Sequence, residues 1–402
     1  MADVLIVGGG PAGMMVGYLF ARAGVPVTVF EKHADFFRDF RGDTVHPSTM
    51  EILDQLGLLG DFLKRPHNRI SSARLRIDGR EWNIGDLSHL RTPAPFIAMM
   101  PQWEFLDFLR DQAAQFPHYR LEMKEPVTGF VEEQGRVAGV TLASGDTMRA
   151  GKLVIATDGR SSLVRSLGML PVEQLGAPMD VLWFSLPKKD DGGDALRGSI
   201  LPGRMVVLID RDDYWQAAFL IPKGAEAEVR ARGLGWLHTA VAEAFPDIEI
   251  PANTVASMED VKLLSVAVDR LTTWSRPGLL AIGDAAHAMS PIGGIGINLA
   301  IQDAVAAANI LSSPLRTRAN VDDILYKVQK RRLFPTRIIQ SGQVAAQDNI
   351  IGRVLEGGEV RAPALIKLLD RVPFLRRIPG RMIGLGIRRE RIGSSAQPPP
   401  GV

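Results

Sequence analysis

The 402-residue sequence contains no cysteine. Disulfides, thiolate nucleophiles, cysteine-ligated zinc and iron–sulfur centres are therefore excluded. The absence agrees with a reducing, cytoplasmic setting. Charge of one sign is also lacking: 47 Lys/Arg against 45 Asp/Glu leave a net charge of +2. Nucleic acid is accordingly not the expected partner. No apolar run reaches about 18 residues, so no membrane-spanning helix is expected. The N terminus is apolar but has no basic leading region, and Gly8-Gly9-Gly10-Pro11 interrupts it, so it does not read as a signal peptide. The chain does have the composition of a globular protein, 46% hydrophobic and 23% charged. Its length suffices for two or three cores. The charge is unevenly placed, since residues 351–402 hold 10 Lys/Arg against 4 Asp/Glu.

The first thirty residues read as a β-α-β unit. Val4–Val7 is a short buried-type strand, Ala12–Ala23 a helix ended by Gly24, and Val27–Phe30 a second strand closed by Glu31. Residues 152–156 and 279–282 read as further short strands flanked by helices. Residues 73–92 alternate and turn at Asp78-Gly79, residues 127–147 read as a meander, and 179–222 as a run of strands. Helices are expected over 47–59, 103–116, 225–245 and 294–311, continuing to about 350. The fold class is therefore α/β: a Rossmann-like nucleotide domain in pieces (1–72, 97–178, 262–345) with an inserted antiparallel β-sheet substrate domain (73–96, 179–261). Residues 346–402 are left as C-terminal helices, with a flexible Pro-rich tail over 394–402.

Three motifs carry chemistry. Gly8, Gly10 and Gly13 form a GxGxxG turn between a strand and a helix, with Pro11 and Ala12 inside it. Such glycines permit the turn, the approach of a pyrophosphate, and close helix–strand packing. The helix N terminus faces the phosphates, and Glu31, followed by Lys32, is placed to meet a ribose. Asp158-Gly159-Arg160 follows a second buried strand, and by itself reads as an ordinary turn. The third motif is Gly283-Asp284, followed by Pro291 and a glycine-rich run from Gly294 through Gly296 to Asn298. Asp284 ends a strand, and the glycines open a helix whose N terminus favours negative charge.

In their order and spacing these motifs resemble those of class A flavoprotein monooxygenases, the fold group of para-hydroxybenzoate hydroxylase. The resemblance covers about residues 1–345. It implies bound FAD, NADPH or NADH as co-substrate, and oxygen delivered through a C4a-hydroperoxyflavin to an electron-rich aromatic ring. It places Glu31 at the adenosine ribose, Arg41 on the pyridine-nucleotide path beside the flavin, and Gln102 towards the FAD chain. Asp158 is implicated with both nucleotides, Asp284 with the ribityl chain, Pro291 with the reacting edge, and Gly294–Asn298 with the pyrimidine end. Longer family members carry a thioredoxin-like domain for which this length leaves no room.

Trp183, Trp215 and Phe219 on the inserted strands are candidates to line a dry pocket for a bulky aromatic; equally, they form that domain's core. His46, five residues after Arg41, is a candidate general base; the plainer reading is a scaffold histidine at a helix start. No metal site or hydrolytic triad stands out. In the tail, Leu365, Leu368, Leu369 and Val372 share a helical face amid Lys367, Arg371, Arg376, Arg377, Arg381, Arg388, Arg389 and Arg391. The favoured reading packs that helix on the body with a solvated basic face, and the alternative lays it on an anionic membrane. A monomer or homodimer is expected. A same-fold halogenase or reductase, or a non-catalytic flavin module, are the other functions the motifs allow. The Trp-x-Trp-x-Ile-Pro signature of tryptophan halogenases is absent.

Overall fold

The computed structural model describes residues 2–37, 44–77, 79–188, 196–211, 213–249, 255–355, 357 and 362–397. Arg41 and the Asp78 turn residue lie outside them.

Two sheets organise the chain. The first has six strands in the order Ser275–Arg276, Leu279–Ala281, Leu153–Ala156, Val4–Val7, Val27–Glu31, Tyr119–Met123, parallel except at the Ser275–Arg276 edge. Its central strands, VLIV and LVIA, are buried throughout, as continuous apolar runs in a helix-covered parallel sheet should be. The helices Pro11–Arg22 and Gly296–Arg316 pack on each other above it. Tyr119–Met123 was not anticipated as a strand. It carries Arg120 and Glu122, charges that suit an unpaired edge.

The second sheet has seven strands: Lys262–Leu264, Met179–Pro187, Tyr214–Pro222, Arg204–Asp210, Leu196–Leu201, Ser72–Ile77, Arg80–Asp86. It is antiparallel except where Leu196–Leu201 meets Ser72–Ile77 in parallel, Gly198 opposite Leu75. The expected antiparallel sheet thus takes one parallel seam, where the 72–86 hairpin joins the strands of the 179–222 region. Period-2 alternation splits the sheet's faces. Leu182, Phe184, Leu186, Trp215, Phe219 and Ile221 bury against the helix Gly233–Ala244, while Val181, Trp183 and Leu220 face the opposite way.

Two expectations need correcting. The Pro-rich tail was read as flexible from Ser394 onwards, but Ser394–Ala396 forms a 3-10 turn. Ala396 is fully buried, and its carbonyl accepts a hydrogen bond from Arg22 Nη1 at 3.2 Å. The segment Ile292–Arg316 does have the length and hydropathy of a membrane span, although no such run was expected; 72% of its apolar window is buried inside the protein. That burial explains its composition: it is a central helix packed against the Pro11–Arg22 and Tyr326–Ala346 helices.

Candidate active site

The first glycine loop is built by backbone contact. Gly8 sits at φ +104°, where a side chain is strained, and a Cβ there would lie 2.7 Å from Asp158 Cα. Gly13 lies as tightly against the Gly8 carbonyl. Thr157 Oγ1 donates to the carbonyls of Val7 (2.9 Å) and Gly8 (2.8 Å), so the end of one strand props the turn after another. Gly10, by contrast, has only Thr157 O at 4.0 Å from its would-be Cβ, leaving open space over the helix N terminus that begins at Pro11 and Ala12. Glu31 ends its strand buried, with Oε2 accepting Gly9 N–H and Oε1 accepting His33 N–H, both at 3.0 Å. Lys32 is exposed. Gln102 is the half-buried first residue of the helix Gln102–Ala113, which packs on the Pro11–Arg22 helix.

The second and third motifs interlock. Asp158 turns inward: its carboxylate accepts Leu163 N–H at 2.8 Å and the Ser162 hydroxyl, capping a short helix. Burial outweighs those hydrogen bonds and raises its pKa. Arg165 donates to the carbonyls of Ala285 (2.9 Å) and Asp284 (3.0 Å) and pairs with Asp269 at 2.6 Å. Arg160 Nε reaches Asp284 Oδ2 at 3.4 Å, while its Nη1 is buried with no hydrogen-bond partner among the described residues. Asp284 keeps about a third of its side chain exposed amid buried neighbours. Gly283, at φ +62°, is wedged between Ala12 and Ala300, so the first and third motifs touch.

Behind this loop lies a buried charge network. Asp303 accepts Gly283 N–H (3.1 Å), His287 Nε2 (2.6 Å) and Arg332 Nε (2.9 Å). Burial alone would raise the Asp303 pKa, but His287 and Arg332 pull it below the usual carboxylate range. Arg332 also reaches Glu390 at 3.3 Å. A second brace is a glutamine stripe on the helix Tyr326–Ala346 and just beyond it. Gln340 holds the Ala288 carbonyl (3.0 Å), Gln343 those of Ser290 and Ile292 (3.0 Å each), and Gln347 the Ser290 hydroxyl (2.7 Å). Sequence reasoning missed both braces. The signal available was three glutamines at i, i+3, i+7, a polar stripe where a buried helix should be apolar.

Pro291 follows that held segment and is half-buried, as are Gly294 to Ile297. Gly296 opens the long helix with nothing within 4 Å of its would-be Cβ and no side-chain cap. Asn298 is occupied by protein. Its Oδ1 accepts His46 N–H (2.9 Å) and Thr49 Oγ1 (2.7 Å), and its Nδ2 donates to Thr44 O (3.2 Å). His46 is wholly buried. Its Nδ1 donates to the Ile383 carbonyl at 2.8 Å, leaving Nε2 an acceptor with no partner among the described residues. Burial, opposed by that hydrogen bond, lowers its pKa to about 4.

Of the three aromatic candidates, Trp183 shares a cluster with Ile292, the residue after Pro291. Trp215 and Phe219 do not: both point to the opposite face, Phe219 edge-on to Trp236 at 5.7 Å. Alternation along the strands decides this, since Trp183 pairs with Ala218, not Phe219. A surface depression lined by Arg74, Arg76, Glu81 and Arg197 contains no motif residue.

Gly10 and Gly296 leave open space at two helix N termini, and the packing of Gly283 on Ala12 brings the first and third motifs together, with the partnerless Arg160 Nη1 and the one-third-exposed Asp284 beside that contact. Residues 1–341 match the FAD binding domain family, and the chain belongs to it. Within that family it is a class A flavoprotein, an FAD-dependent aromatic monooxygenase. It is 32% identical to 6-methylpretetramide 4-monooxygenase of Streptomyces rimosus, over 98% of this chain and 94% of that protein. The fold is similar to p-nitrophenol 4-monooxygenase PnpA of Pseudomonas putida DLL-E4 (TM-score 0.79, 21% identity, 97% of this chain and 99% of that one). It is also similar to flavin-dependent brominase Bmp2 (TM-score 0.75, 17% identity, 97% and 94%).

Proposed function

We propose that this enzyme hydroxylates a bulky, fused-ring aromatic using NADPH or NADH. The observation that carries the reading is the apolar sheet face bearing Trp183, which packs with Ile292, the residue after Pro291. A wide apolar wall suits a large flat substrate and keeps water out. The full-length similarity to a monooxygenase named for 6-methylpretetramide supports the same size class.

Bound FAD would supply electron transfer from the nicotinamide to oxygen and delivery of one oxygen atom to the ring. Gly8, Gly10, Pro11, Ala12 and Gly13 would leave the helix N–H groups free for the pyrophosphate. Glu31 would meet the adenosine ribose with Lys32 beside it, and Gln102 the chain between. Gly283 and Asp284 would take the ribityl chain, with Arg160 steering the Asp284 carboxylate. Gly294 and Gly296 would give the open helix end to the pyrimidine ring. Asp158 and Asn298 have their side chains committed to the fold, so their part is to position neighbouring segments. Arg41, outside the described residues, is assigned to the nicotinamide path.

His46 fits a hydrogen-bond acceptor for a substrate hydroxyl better than a base that keeps the proton. With a pKa of about 4 it would not hold a proton near neutral pH. The Ile383 carbonyl fixes its tautomer and so keeps Nε2 bare.

The test is anaerobic mixing of the flavin-loaded protein with each nicotinamide, then oxygen-18 turnover with a panel of polycyclic phenols. Flavin bleaching and a product carrying one labelled oxygen are expected. Product without label would sink the hydroxylase reading, and dependence on added halide would move it to the brominase chemistry of its fold relative.

A further inference from the structure

The C-terminal helices Ala364–Arg371 and Arg377–Leu385 both lie on the strand Arg80–Asp86, the edge of the seven-stranded sheet. Gly380 and Gly384 make this contact close. A Cβ at Gly380 would fall 1.9 Å from the Asp86 carbonyl, and Gly384 fits against Leu87 and Leu90. Ile366, Ile383 and Leu385 turn inward to the apolar clusters. Of the face that sequence reasoning packed against the body, Leu365, Leu368 and Val372 are instead turned to solvent, and Leu369 is half-buried. Leu365 is 65% exposed, Phe374 66%, Ile378 55% and Met382 51%, with Leu368 and Val372 beside them. Soluble surfaces scatter large apolar side chains singly; six within 18 residues of adjoining helices form a patch.

Cations surround it. Lys367, Arg371 and Arg381 are exposed and without a carboxylate partner among the described residues, and Arg377 lies 5.2 Å from the Phe374 ring centroid. Among the described residues the segment's own acids are engaged, Asp370 on Arg80 and Arg376, Glu390 on Arg331 and Arg332. Residues 351–402 carry a net +6, whereas the remainder of the chain is net −4.

We propose that this helix pair is a docking surface for an anionic lipid bilayer, its leucines, Phe374, Ile378 and Met382 entering the interface and its arginines meeting the headgroups. Charge complementarity decides the occupant. A second copy meeting the same face across a two-fold axis would set Arg371, Arg377 and Arg381 against themselves. An amphipathic surface with cations flanking long apolar side chains is the form that lies in a headgroup layer. The inner side of the Arg377–Leu385 helix contributes Ile383 and Leu385 to the cluster containing Leu87, Leu90, Met99 and Trp183, and its Ile383 carbonyl holds His46. Docking there would set lipid on one side of a single helix and the apolar sheet face on the other, a short path for a lipophilic ring compound.

The test is co-sedimentation of the intact flavin-loaded protein with vesicles of phosphatidylcholine alone, or with about one quarter phosphatidylglycerol. Binding only to the anionic vesicles is expected, falling as salt rises. R371Q/R377Q/R381Q should weaken it at least ten-fold, each arginine near the surface counting for about five-fold. L365S/F374S/I378S should do likewise, with flavin content unchanged because all three side chains are exposed. Failure of the parent protein to distinguish the two vesicle types would overturn the proposal without any variant. So would retention of parent-level binding by both triple variants. A dimer in light scattering that L365S/F374S/I378S abolishes, with vesicles ignored, would give the surface to a second copy instead.

Discussion

The flavin motifs and the seven-stranded sheet are held by different means. Around the flavin motifs, backbone touches backbone: Gly8 against Asp158, Gly13 against Gly8, with carbonyls and N–H groups tied by Thr157, Arg165, Asp303 and the glutamine stripe. In the seven-stranded sheet, side chains interdigitate on two faces, and any apolar residue of similar volume serves. Function that needs atoms placed to a fraction of an ångström is put on the first kind of construction. Accommodation of a particular substrate shape is left to the second.

Breaking the charge network behind Gly283 should have the largest effect. Asp303→Ala leaves Arg332 buried without its carboxylate and should cost about 3–5 kcal/mol in urea unfolding, with flavin lost from the purified protein. A conservative change in the sheet core causing equal flavin loss would erase the distinction between the regions.

Next comes acid. His46 is held neutral, with its folded pKa near 4 below the ordinary 6.5. Its contribution is therefore complete above pH 6.5 and is lost as pH falls towards 4, where the unfolded chain binds the proton first. The loss should reach about 3 kcal/mol. His46→Asn should flatten the stability profile over that window; an unchanged slope would mean the imidazole reaches water.

Smaller still, Gly13→Ala presses a methyl on the Gly8 carbonyl and should cost about 1–3 kcal/mol, with FAD affinity down at least ten-fold by flavin titration. Phe219→Leu should cost under about 1.5 kcal/mol and leave flavin binding and KM alone, as it faces the Gly233–Ala244 helix. Trp183→Leu should spare stability similarly but change KM for the aromatic substrate, because it lies on the sheet face that packs with Ile292. A KM shift in the Phe219 variant and none at Trp183 would reverse the assignment of faces.

The strands that carry the motifs were legible because buried parallel strands write themselves as short apolar runs: VLIV, LVIA, and the run ending at Ala281. Tyr119–Met123 was not, since an edge strand with Arg120 and Glu122 looks like a loop. The motif glycines were legible because a turn at positive φ leaves few choices of residue. Arg165, Asp303, Arg332 and the glutamines were not, because their partners are 119, 20, 29 and about 50 residues away in sequence. Trp215 and Phe219 were read by type alone, and the face each takes follows from the strand register.

The sequence by itself determined that a dinucleotide is gripped by a glycine turn and a later Gly-Asp segment, because backbone geometry there admits so few residues. Tertiary structure alone decided that Asp158 and Asn298 serve the scaffold, that His46 shares its proton with Ile383, and that the apolar stripe at Leu365 and Leu368 looks outward. Those outcomes depend on which distant group arrives to satisfy a polar atom or cover an apolar one. Local pattern specifies the need for a partner but not its identity.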